Sequence, residues 1–164
     1  MRRITLNKQY FNNMEALIEK LQTAQTQAME HRPVVGGFPY LAETLRRAGV
    51  KRNTWTLPIC QSVYFMEEGV VIQQGQPVTL GATVVPIFDE TALIQALHQD
   101  QAGESTFSEF LQSAWNAGVL WYEVDFEKRS VVYGGARGER YTESYPAVTL
   151  EAFFPGDREG EKQR

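Results

Sequence analysis

A chain of 164 residues and 18.6 kDa, 43% hydrophobic and 22% charged, has the size and composition of one soluble globular unit. Its net charge of −4, with Arg and Lys scattered in pairs such as Arg46-Arg47 and Lys51-Arg52, argues against a nucleic-acid partner, which calls for a dense basic face. A single cysteine excludes an internal disulfide, and no window has the roughly 18 apolar residues of a membrane span, so a cytoplasmic setting without membrane contact is expected.

The first predicted element is a helix in which Met14, Leu17, Ile18, Leu21, Ala24 and Ala28 recur at helical spacing. Asn12 stands as its cap with Glu15 three residues on, and Pro33 ends it. Phe38, Leu41, Leu45 and Ala48 make a second helical stripe, closed by Gly49 at the left-handed position past the end. Strands follow at 52–57, 62–66 and 70–74, bounded by Pro58 and by Gly75-Gln76-Pro77. Residues 79–87 read as a short strand or as a crossing segment.

The order then starts again. Asp89 caps a third helix bearing Leu93, Ile94 and Leu97, with Phe88 and Leu93 at staple positions and Gly103 at its end. Thr106 and Glu109 form a capping box for a fourth helix through Phe107, Phe110, Leu111, Ala114 and Ala117, which Gly118 ends. Beyond it Leu120, Tyr122, Val124 and Phe126 alternate with Trp121, Glu123 and Asp125, and two further strands run through 131–133 and 141–145.

The recurrence is a duplication. An ungapped offset of 69 aligns Phe38 with Phe107, Ala48-Gly49-Val50 with Ala117-Gly118-Val119, Val63-Tyr64 with Val132-Tyr133, Gly69 with Gly138 and Pro77 with Pro146. Upstream, "ALIEKLQTAQ" from Ala16 matches "ALIQALHQDQ" from Ala92 at an offset of 76, the seven extra residues falling in the first inter-helix loop. The expected fold is α+β: a two-layer sandwich of an antiparallel sheet with helices on one face, built from two α-α-β-β-β repeats. The repeats cover about 12–80 and 88–150 of one duplicated domain, 1–154, and the polar tail 155–164 is expected to be disordered.

The stretch "GESTFSEFLQSAWNAGVLWYEVDFEKRSVVYGG" resembles the YdfO-like family of small bacterial and prophage proteins, often labelled phage envelope proteins. The likeness covers about residues 34–150 and is strongest at Ser105-Thr106-Phe107, Ala117-Gly118-Val119, Val124-Asp125 and Tyr133-Gly134. Where that family often has adjacent tyrosines, this chain has Val132-Tyr133. The resemblance implies an α+β fold and no catalytic residue.

The residues themselves offer little catalytic chemistry. His31 and His98 lie in the last turns of helices, where the helix dipole favours them. Two histidines and one cysteine without paired spacing predict no metal site, and no cofactor motif is present. Cys60 follows Pro58 near a hairpin turn without a local base to activate it. "YGGARGE" links two strands, so hairpin geometry accounts for its glycines, and "HRPVVGGFP" lacks the preceding strand of a dinucleotide loop. Strand alternation places Trp121, Glu123 and Asp125 on one sheet face, with Arg52, Thr54 and Thr56 at the matching positions of the first repeat. Trp121, Glu123, Asp125 and Arg52 are therefore the candidate binding residues. Exposed members among Tyr40, Trp115, Trp121, Tyr141 and Tyr145, or free sheet edges, would serve a homodimer or another protein partner. The expected role is a binding or regulatory module without catalysis; the alternative is a small enzyme using Glu123 and Asp125 as an acid–base pair in a pocket between the repeats.

Overall fold

In the computed structural model residues 8–150 are described. Ten elements follow in the order α1 (Lys8–His31), α2 (Phe38–Arg47), β1 (Val50–Thr56), β2 (Gln61–Met66), β3 (Gly69–Gln74), α3 (Glu90–Gln101), α4 (Phe107–Asn116), β4 (Trp121–Asp125), β5 (Ser130–Gly134) and β6 (Arg140–Ser144). The tail 155–164 lies outside the described residues.

The local signals explain most boundaries. Asp89 accepts from the Ala92 amide, and Thr106 and Glu109 bond reciprocally across the first turn of α4. Gly49 and Gly118 stop α2 and α4 at φ of 96° and 85°, a conformation only glycine adopts freely. One expectation fails: Asn12 does not cap α1, because the helix already runs from Lys8 through it. The tertiary contacts of the stripe Leu17, Leu21, Ala24 and Ala28 anchor the helix, and the turns before it propagate without a break. Residues 79–87 form no strand and cross from one repeat to the other with Leu80, Val84 and Ile87 exposed.

All six strands form one antiparallel sheet in the order β3-β2-β1-β4-β5-β6. That order reads the same from both ends once each strand is replaced by its counterpart in the other repeat. The register obeys the same symmetry. Thr54 faces Val63 in the first repeat, and Glu123, 69 residues later, faces Val132 in the second. The β1–β2 and β4–β5 hairpins each place a non-glycine residue at positive φ, Cys60 at 48° and Arg129 at 51°, again 69 apart. The outer hairpins differ. Met66 pairs with Gly69 across a two-residue turn, whereas a five-residue loop joins Gly134 to Arg140 and moves β6 by one residue. Gln73 thereby becomes the counterpart of Glu143.

One face of the sheet meets the helices. Tyr64, Met66, Val71, Tyr122, Val124, Val131 and Tyr133 are buried there against Leu21 and Leu45 of the first repeat and Leu93, Phe110 and Ala114 of the second. A shared core of this kind is what each repeat alone lacks the surface to build.

Candidate functional site

The other sheet face is a plane of three cross-strand rows. The register sets Ile72, Val63, Thr54, Glu123, Val132 and Thr142 in the central row, since side chains alternate between faces. Val70, Phe65, Arg52, Asp125 and Ser130 lie along one side of it, and Gln61, Thr56, Trp121, Gly134 and Arg140 along the other.

The four sequence candidates all stand on this face. Arg52 lies opposite Asp125 in the ladder, yet its Nε approaches Glu123 Oε1 at 3.5 Å while its guanidinium lies 4.3 Å from the centre of the Phe65 ring. Both members of that ion pair are well solvated, so the pair orients more than it stabilises. Asp125 Oδ1 accepts from the Glu127 and Lys128 amides at 3.1 and 2.9 Å, which ties the β4–β5 turn. Trp121 lies flat over Gly134: a Cβ there would fall 2.1 Å from the indole Cε2. Arg140 sits over the same indole at 5.5 Å. Gly134 is thus required by the tryptophan, and among the glycines of the β5–β6 region only Gly138, at φ 85°, is in the left-handed region that hairpin geometry demands. Toward edge strand β3 the face carries an apolar patch of Val63, Phe65, Val70 and Ile72, the last two exposed to 50% and 60%, beside the polar pair Gln61 and Gln74.

Of the other residues the sequence singled out, Cys60 is buried and its thiol is pushed up by desolvation, away from a reactive thiolate. Trp115 is core, and Tyr141 and Tyr145 pack half-buried against it. Arg46 and Arg47 both bond Glu43, and Arg46 first of all holds that carboxyl below the usual range. An open groove between α3 and α4, lined by Ala92, Gln95, Ala96, Gln99, Ser113, Asn116 and Ala117, contains neither Glu123 nor Asp125. Among the described residues no three His, Cys, Asp or Glu side chains are placed to hold a metal ion.

A second polar constellation, under the helices, escaped sequence reasoning. In the first repeat the side-chain amides of Gln25 of α1 and Gln73 of β3 exchange two hydrogen bonds, each Nε2 donating to the other's Oε1 at 2.8 and 2.9 Å, and Gln25 also hydrogen-bonds Tyr64. In the second repeat the counterparts are Gln101, Glu143 and Tyr133. The Tyr133 hydroxyl donates to Glu143 Oε1 at 3.4 Å, and Gln101 bonds the same carboxyl. Asp100 lies close by, near Arg32 and Ser105. Burial pushes the carboxyls of Glu143 and Asp100 up, and their mutual repulsion adds to it at Glu143. Burial also pushes Tyr122 and Tyr133 well above the ordinary tyrosine range. The offset of 76 between the "ALI" segments pairs Gln25 with Gln101, but the one-residue slip that pairs Gln73 with Glu143 is set by the β5–β6 loop.

A family model described as "Protein of unknown function (DUF1398)" matches residues 26–143. An uncharacterised protein of Mycobacterium bovis is 53% identical over 135 residues, covering 82% of this chain and 82% of that protein. Uncharacterised proteins from two strains of Mycobacterium tuberculosis match with the same identity and the same coverage.

Proposed function

The chain belongs to the DUF1398 family of proteins of unknown function, and we propose that it is a binding or regulatory module, not a catalyst, whose open sheet face takes a second copy of the same chain. The carrying observation is the makeup of that face. Exposed Val70 and Ile72 lie beside a belt that holds charges of both signs, Arg52 and Arg140 with Glu123 and Asp125. A twofold interface must complement itself, and a face with an apolar side and a mixed-charge belt meets that requirement. Two sheets of this kind pack face to face about 10 Å apart.

Acid–base chemistry by Glu123 and Asp125 in a pocket between the repeats has less support. Asp125 already accepts two backbone bonds, and Glu123 is engaged by Arg52. We also propose a YdfO-like, phage-related character, supported by the Ser105-Thr106-Phe107 and Ala117-Gly118-Val119 residues, and a cytoplasmic setting, supported by the single free cysteine.

Sedimentation equilibrium tests the dimer. The wild-type chain is expected to self-associate at micromolar concentration, and Ile72→Lys to remain monomeric with an unchanged circular dichroism spectrum. A wild-type chain that stays monomeric at about 100 μM, ordinarily ample for a standard-size interface, overturns the proposal.

A further inference from the structure

The two repeats place counterpart residues between their edge strands and their first helices, with two chemical differences. In the first repeat they are neutral: Gln25 of α1, Gln73 of β3 and Tyr64 of β2. In the second, Glu143 of β6 replaces the edge-strand glutamine, and Asp100 of α3 adds another acid where the first repeat has Ala24. We propose that Glu143 of edge strand β6, held by the Tyr133 hydroxyl, and Asp100 near the end of α3 form a proton-operated clasp that fastens β6 on acidification and loosens it on deprotonation.

The groups facing Glu143 define the device. From α3 come His98, Asp100 and Gln101; from β5 comes the Tyr133 hydroxyl; on β6 itself stands Tyr141, which also feels Glu90. Arg32, after α1, and Ser105, before α4, act on Asp100. His98 and the Tyr133 bond favour the ionised form of Glu143, while burial and Asp100 oppose it, and burial is the larger effect. Both acids titrate above their unfolded values, so the folded chain binds more protons than the unfolded one in the interval between. Stability therefore rises as pH falls through the folded values, and the gain is complete below the ordinary carboxyl values of 4.5 and 3.8. When both acids are ionised, two like charges share a half-buried space between a helix and a strand that has only one neighbour. Neither side chain of the Gln25–Gln73 pair can do this, so β3 stays indifferent to pH.

Hydrogen exchange measured by mass spectrometry, from about pH 7.5 to about pH 5 and corrected for intrinsic exchange chemistry, reads each edge strand separately. In the wild-type chain β6 protection is expected to rise toward acid while β3 protection stays flat. Glu143→Gln, which copies the first repeat, should hold β6 at high protection across the range. Gln73→Glu supplies one of the two acids, since position 24 remains alanine, and should give β3 a smaller response of the same sign. A β6 response unchanged by Glu143→Gln overturns the clasp.

Discussion

Thr54 and Glu123 face each other across the β1–β4 ladder, and each is the other's counterpart in the duplicated sequence. In an antiparallel pair a local twofold axis passes through directly opposed residues. The axis that relates the two repeats thus pierces the sheet at this pair. The strand order, the β1–β2 and β4–β5 registers and the left-handed residues of those two hairpins are laid out twice about it, and the outer hairpins depart from it by one residue.

Gly134 and Gly138 separate two reasons for glycine in one hairpin. Gly134→Ala drives a methyl into the Trp121 indole and is expected to cost about 2–3 kcal/mol, with loss of the Arg140–indole contact. Gly138→Ala meets no atom within 4 Å and loses only the left-handed preference, about 1 kcal/mol. Urea unfolding followed by tryptophan fluorescence measures both. Equal costs would mean that the indole moves aside freely.

Arg129 holds φ at 51° in a turn whose tie is the Asp125 carboxylate. Arg129→Gly removes the Cβ from that left-handed conformation and is expected to stabilise the chain by about 0.5 kcal/mol, the relief of about 1 kcal/mol being reduced by glycine's greater unfolded-state entropy. Thermal unfolding under matched conditions checks the sign. A lowered midpoint would show that contacts of the arginine side chain outweigh its backbone strain.

Alkaline pH should unfold the chain through its tyrosines. Burial pushes Tyr145 up to about 12 and holds Tyr122 and Tyr133 well above the ordinary tyrosine range. Unfolded tyrosines release their protons near pH 10, so above it the unfolded state binds fewer protons than the folded one and stability falls as pH rises. Tyrosinate absorbance should then appear for these three residues together with the loss of circular dichroism. Ionisation that precedes unfolding at all three would contradict the burial of their hydroxyls.

The amino-acid sequence by itself determined the repeat and most of the elements, because the signals involved are local. Thr106 and Glu109 lie within one helical turn, Gly49 and Gly118 act on their own dihedral angles, and the Tyr122–Val124–Phe126 alternation needs only the pleat of a strand. The face that bears Trp121, Glu123, Asp125 and Arg52 was legible for the same reason. The start of α1 was not, since packing of Leu17 and Leu21 lets helix propagate past Asn12. Only the tertiary structure decided which carboxylates are strained. Glu143 and Asp100 are distant in sequence and unremarkable in pattern, and they are brought beside Tyr133 by a one-residue slip of β6 and the end of α3. Desolvation depends on what lies above and beside a group in three dimensions, and no spacing along the chain encodes it.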